Sequence, residues 1–374
     1  MSFPSRYVDL EAARRRFGDR VDRLGPYLSD TDPLADALVE RFTQLPPGQG
    51  SAQLALALER GIDEVADAPD ELRALFADLD AVPPWVDWGA VDRGGSVLVS
   101  AGVLGGAVLG ARSLVLGYCS PGGNKPLVFS GRLQEQALQR LNETSKFVYA
   151  TCVPGGMRRH GQGFALTVRV RMIHAQVRRM ILLSGRWDAA RWGAPINQHD
   201  MVGTSMLFSL VLLDGLRSLG LEVDTEDAHR YMQLWRYSAK VIGIAPELIP
   251  GSEAEARSLW ALVEMTQGEA DDDSRALTRA LLESPRRAAR TAQERSRAET
   301  QIAIATGLCR ALLGEQRADQ LRLPRTYWRG TANLARALLL PTRRLRGTRP
   351  GRALTLRAGN RYWRRVLAQG SAEG

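Results

Sequence analysis

An all-α protein is predicted by three features of the sequence. Apolar residues recur mostly three and four positions apart, which is the repeat of one helix face. Alternating apolar and polar runs bounded by turn residues, the mark of a half-buried strand, are scarce. Helix-start and helix-stop signals punctuate the chain along its length.

Taken in order, residues 1–30 read as an N-terminal extension. MSFPSRYVDLEAARRRFGDR has no apolar stretch after its charges, so no secretory signal is visible and a cytoplasmic location is expected. Asp32 before Pro33 opens a helix, and Pro46 to Gly50 reads as a loop. Gly94 to Ala111, GGSVLVSAGVLGGAVLGA, runs for eighteen residues without a charge between Arg93 and Arg112. Six of these residues are glycine and the bulky apolar content is modest, so a buried, closely packed helix is expected rather than a membrane span. Gly102, Gly106 and Gly110 would let another backbone, or a flat cofactor, come close. Ser120 to Lys125 and Pro154 to Gly163 read as loops around a helix beginning at Gly131. Asn197 with Asp200, and the pair Ser252 and Glu255, start further helices. Gly220 and Pro250-Gly251 end others, and Thr342 to Gly351 is the last expected loop. The organisation that follows is one helical domain over 31–340 and an arginine-rich tail over 341–374.

With 44% hydrophobic and 24% charged residues, the 374-residue chain falls among ordinary globular proteins. Cys119, Cys152 and Cys309 are too scattered for a disulfide framework and lack zinc spacing, which points to a reducing compartment. The charge is unevenly placed. Arg343, Arg344, Arg346, Arg349, Arg352, Arg357, Arg361, Arg364 and Arg365 face the single acid Glu373, so the tail supplies +8 of the net +9. The nearly neutral remainder argues against a broad nucleic-acid-binding face, and no nucleic-acid partner is expected. The tail reads first as a solvated, partly frayed terminus. Tyr362 and Trp363 among its arginines also suit a membrane interface or an RNA strand, so peripheral membrane contact is a second reading.

The signatures HExxH, GxSxG, the Walker loop and GxGxxG are missing, which removes most support for hydrolase and nucleotide-binding classes. Four histidines leave little room for a multi-histidine metal site. His160 in RRHGQG and His229 beside Arg230 read as solvent-facing, and His199 lies in the first turn of its helix. His174 differs. The helical face Thr167, Val170, His174, Val177, Ile181 centres a lone imidazole on an apolar stripe. One reading is a core histidine bonded to a carbonyl. The other is a single axial ligand to haem iron, which needs one imidazole in an apolar slot. Arg171 and Arg178 flank it, placed either to pair with haem propionates or to snorkel to the surface. A second helix sets Arg140 and Thr144 four residues apart, with Leu133, Ala137 and Phe147 nearby. Either Thr144 bonds back to the Arg140 carbonyl while Arg140 pairs with Glu143, or the guanidinium and hydroxyl form a distal pair that donates to dioxygen.

RLNET at 140–144, VRMIHAQVR at 170–178, PINQHDMVGTSMLFS, LWRYSAKVIGIAPELIP and the early VPPWVDW at 82–88 together resemble the rubber oxygenase (latex clearing protein) family. That broad family includes the fungal oxygenases that cleave a farnesyl side chain in mycophenolic acid biosynthesis. The resemblance covers roughly residues 30 to 260. It implies a globin-like helical core around haem b, with additional N- and C-terminal helices, and an oxygenase that uses dioxygen to cleave an olefinic double bond. On the matching positions it implies His174 as the axial iron ligand and Arg140 and Thr144 as distal residues. Glu143 stands where characterised rubber cleavers carry a lysine, which reverses the charge beside the distal threonine. With no export signal visible, the expected substrate is a small apolar unsaturated molecule, an isoprenoid, lipid or polyketide, rather than a polymer. A noncatalytic haem or lipid carrier of the same fold is the alternative, and Glu143 is the feature that favours it.

Overall fold

A computed structural model describes residues 3–129, 137–339 and 348–372. The helices that bear on the site and its supports run in order as α1 (Leu10–Phe17), α2 (Pro33–Thr43), α3 (Gln49–Arg60), α4 (Asp70–Asp80), α5 (Trp88–Gly94), α6 (Ser96–Ala101), α7 (Val103–Val108) and α8 (Leu114–Tyr118). They continue as α9 (Pro121–Val128), α10 (Ala137–Cys152), α11 (Gln162–Leu183), α12 (Gln198–Phe208), α13 (Leu210–Ser218), α14 (Thr225–Val241) and α15 (Glu253–Met265). The C-terminal part adds α16 (Asp272–Leu282), α17 (Ala292–Leu313), α18 (Thr331–Leu339) and α19 (Arg349–Ala372). Among the described residues, extended pairing is confined to one antiparallel bridge between Tyr7 and Gln267. The fold is all-α, as the apolar spacing predicts.

Start signals act where the sequence places them. The side chains of Asp32, Asn197 and Ser252 accept hydrogen bonds from the backbone N–H groups of Ala35, Asp200 and Glu255 at 3.3, 2.9 and 3.2 Å. Gly220, at φ +86°, closes α13. The loop expected over Ser120 to Lys125 is instead the start of α9. Ser120 Oγ caps the N–H of Gly123 at 3.3 Å, and Pro121 takes the first helical position, where its missing N–H costs nothing. Gln49 and Gly50 likewise open α3 rather than ending a loop.

The uncharged stretch from Gly94 is buried, but it is not one helix. At Gly102, with φ +53°, the chain turns, and the arms Trp88–Ala101 and Val103–Tyr118 stand 88° apart. Both arms send side chains into the main core: Val97, Leu98 and Val99 from one, Val108, Leu109 and Ala111 from the other. A π turn, Leu109–Ser113, follows. The close approach expected at the small residues occurs at the C-terminal helix, where Gly102 lies against Gly359 and a Cβ at Gly106 would collide with the Tyr362 hydroxyl. Gly110 faces open space.

Both termini belong to the body. Tyr7, Val21, Leu24 and Leu28 share a second core with Met201, Val202, Leu262 and Val263, so residues 3–30 complete a hydrophobic cluster rather than extend from one. The tail expected to fray is a helix over its described part. Trp363 is 1% exposed and stacks on Tyr149, whose hydroxyl donates to Asn360 Oδ1 at 2.9 Å. Arg352 pairs with Asp224 and Asp227 at 3.0 and 3.4 Å. The charge count hid this docking because Gly359 and Trp363, on the inner side, carry it. Arg343, Arg344 and Arg346, the 342–347 part of the last expected loop, and Leu133 lie outside the described residues.

Candidate functional site

The site residues sit on the hairpin α10–α11. The hairpin closes tightly because Gly156 and Gly163 have no Cβ: one at either position would collide with the Ala150 carbonyl oxygen. The N–H of Phe164 then donates to Gly156 O at 2.8 Å. Packed antiparallel, the two arms share a register. Arg140 stands twelve residues before the end of α10 at Cys152, and His174 stands twelve after the start of α11 at Gln162. At 1.5 Å per residue both lie about 18 Å along their arms, at one level of the hairpin.

The rotation of α10 is set by aromatic packing. Phe147 meets Phe208 and Trp235 edge-on at 6.1 and 6.0 Å, and Phe208 stacks on Trp235 at 5.3 Å. Arg140 and Thr144 lie seven and three residues before Phe147, so they continue the same inward stripe. Both are half-buried. The Thr144 hydroxyl makes no hydrogen bond among the described residues, while Ser145 next to it bonds back to Leu141 O at 2.8 Å. The back-bonding alternative for Thr144 is therefore not what the structure adopts. Burial raises the Tyr118 phenol above its ordinary pKa and the Arg140 charge opposes that rise, which puts the guanidinium within electrostatic reach of Tyr118.

Glu143 departs from its expected role beside the distal pair. It is exposed and accepts from Gln139 Nε2 at 2.9 Å. One residue from Thr144 is 100° around the helix, which turns the carboxylate outward.

His174 projects from the middle of α11 between Val170 and Val177, which are part-exposed, with Thr167 and Ile181 buried beyond them. Its Nδ1 is buried without a hydrogen-bond partner. Burial first, and the Arg178 charge second, lower its pKa to about 4 against a smaller opposing pull from Asp32. The ring is thus neutral across the physiological range and keeps a nitrogen lone pair for a metal. No described residue hydrogen-bonds that nitrogen, so a carbonyl bond at Nδ1 is not what the structure adopts. His160 and His229 are exposed, as their settings predict.

Arg171 and Arg178 do not reach outward for propionates. Arg171 grips Asp32 with two bonds, Nε to Oδ2 at 2.6 Å and Nη2 to Oδ1 at 2.9 Å, and reaches Asp78 at 3.1 Å. Arg178 donates to Asp36 at 2.7 Å and to Ile196 O at 3.1 Å. Both are 3% exposed, so snorkelling fails as well. A guanidinium buried this deeply is retained only when a carboxylate compensates its desolvation, and α2 and α4 supply three. These partners, like Tyr118, were missed in the sequence. No local spacing signals a pair 139 or 142 residues apart.

The residues fit an apolar group that His174 would hold: a neutral imidazole with a partnerless nitrogen, valines on either side, Arg140 at its level, and the Thr144 hydroxyl about one helical turn nearer the hairpin turn. They do not fit propionate pairing by Arg171 and Arg178.

Comparison with known proteins identifies the fold and the family. The rubber oxygenase of Streptomyces sp. (strain K30) is 26% identical over 228 residues, 60% of this chain and 54% of the relative. The chain thus spans about half the length of that relative. A solved structure of latex clearing protein LCP in the closed state superposes with a TM-score of 0.69 at 22% identity, covering 90% of this chain and 91% of the other, and shows a shared fold. Residues 98–344, which contain the whole hairpin, match the family described as ER-bound oxygenase mpaB/B′/rubber oxygenase, catalytic domain, and the chain belongs to that family.

Proposed function

We propose that this chain is a haem-b-dependent oxygenase that uses dioxygen to oxidise or cleave an apolar, unsaturated small molecule. The observation that carries the reading is the buried, partnerless Nδ1 of a neutral His174 at the level of Arg140, with Thr144 one turn away on the same arm. Family membership supports the oxygenase class. His174 would hold the iron, and haem when bound supplies the redox chemistry of dioxygen. The chain's own groups do the rest. Thr144 would offer an uncommitted O–H, and Arg140 a charged N–H donor, to dioxygen. Val170 and Val177 keep water from the imidazole. Asp32, Asp36 and Asp78 hold α11 through Arg171 and Arg178, which positions His174 without touching it. The noncatalytic carrier loses its supporting feature, because Glu143 points away from the pair.

The test is an absorption spectrum of protein produced with haem precursor. A Soret band is expected in the parent and in His160→Ala and His229→Ala, with most of it lost in His174→Ala. A folded parent without a Soret band overturns the reading. Substrate class is then sorted by incubating the holoprotein with short isoprenoids, unsaturated lipids and polyisoprene, with the short molecules expected to react faster.

A further inference from the structure

The outward face of α19 is unlike its inward face. At 100° per residue, Leu354, Arg357, Arg361, Arg364 and Arg365 fall within an arc of about 100° on the side away from Gly359 and Trp363. All five are exposed, Leu354 at 60%. Among the described residues none of these four guanidiniums meets a carboxylate, whereas Arg352, on the inner side, is held by Asp224 and Asp227. Exposed apolar side chains accompany the arginines. Leu354 lies within the arc, and Leu334, at 58% exposure, lies on α18. The end of α18 at Leu339 lines one groove with Arg352, Ala353 and Leu356 of α19.

We propose that this face of α19 is a docking surface for an anionic lipid bilayer. Four uncompensated cations on a rigidly seated helix complement a layer of negatively charged headgroups, and a leucine among them can enter the acyl boundary. The aromatic residues of α19 decide against a nucleic-acid strand. Non-sequence-specific binding of single strands needs aromatic faces beside the basic groove for bases to stack on. Tyr362 and Trp363 are turned inward instead, Tyr362 against Gly106 and Trp363 into the core. The seating also reaches the candidate site, because Trp363 and Asn360 contact Tyr149 on the helix that carries Arg140 and Thr144. On the oxygenase reading proposed above, the bilayer would also be the phase in which an apolar substrate dissolves.

The experiment is co-sedimentation of the full chain with phosphatidylcholine vesicles, with and without phosphatidylglycerol. The parent is expected to bind only the anionic vesicles and to release as salt rises. The quadruple variant Arg357→Gln, Arg361→Gln, Arg364→Gln, Arg365→Gln should bind at least about tenfold more weakly, and the quadruple lysine variant should bind nearly as the parent does. Equal thermal melting of the three proteins shows that the exposed changes leave the fold intact. Equal binding to neutral and anionic vesicles, parental binding by the glutamine variant, or tighter binding to single-stranded RNA than to vesicles at equal phosphate concentration overturns the proposal. The Soret band is read from the same samples. Its absence counts against the oxygenase reading alone, and failure to bind vesicles counts against the docking surface alone.

Discussion

The two arms of the hairpin are held in opposite ways. On α11 the residues around His174 are locked by buried ion pairs to two other helices, with Arg171 on Asp32 and Asp78 and Arg178 on Asp36. On α10 the residues around Thr144 are located by aromatic packing behind them, and the Thr144 hydroxyl makes no hydrogen bond among the described residues. In the proposed function His174 would be a metal ligand, which has to sit within a fraction of an ångström of one position, and charge clamps with fixed directions suit that task. In the proposed function Thr144 would meet a diatomic ligand, a task that suits a hydroxyl with no permanent partner. The contrast teaches that, in this fold, electrostatics fixes one wall of the site and dispersion the other.

Breaking the clamp should have the largest consequence. Asp32→Ala strands the Arg171 guanidinium in the interior and removes the cap of α2, and is expected to destabilise the fold by about 3–5 kcal/mol in urea denaturation. A loss below about 1 kcal/mol would mean that the pair does not lock α11. Next comes the packed wall. Trp363→Ala removes the ring that stacks behind α10 and should cost about 3 kcal/mol by thermal melting, while leaving haem content near that of the parent. If haem is lost instead, the two walls are not independently held. The distal donors come third. Arg140→Gln is expected to leave global stability nearly unchanged and to weaken oxygen binding to the haem-loaded protein by roughly 1.5–3 kcal/mol, read from an oxygen titration. The smallest effect belongs to Glu143→Lys, whose outward side chain should shift neither the Soret band nor the melting point, with stability within about 0.5 kcal/mol of the parent. A displaced band would bring that position back into the pocket.

Much of this was legible locally. The 3.6-residue repeat through Thr167, Val170, His174, Val177 and Ile181 orients the imidazole without any tertiary information, and the caps at Asp32, Asn197 and Ser252 mark helix starts that the structure keeps. The rest depended on contacts distant in sequence. Asp32 is recognisable as a cap, yet its second task, holding Arg171, arises only when α2 folds across α11. Composition also misled. Nine arginines in thirty-four residues suggest a solvated strand of chain, but a single buried Trp363 and a glycine crossing outweigh them in deciding where the helix lies. The eighteen-residue apolar stretch read as one helix because nothing in local spacing distinguishes a glycine that packs from Gly102, where the backbone turns.

The equal counts from the turn to Arg140 and to His174 act as a ruler. Because Arg140 and His174 are counted from the same turn, a residue inserted between Val153 and Gly161 leaves both arms in phase. One inserted between Thr144 and Cys152 swings the distal donors by 100° and slides them by about 1.5 Å. A change of length in the connecting loop therefore acts on the glycine closure at Gly156, whereas one within the helices also changes what faces the imidazole.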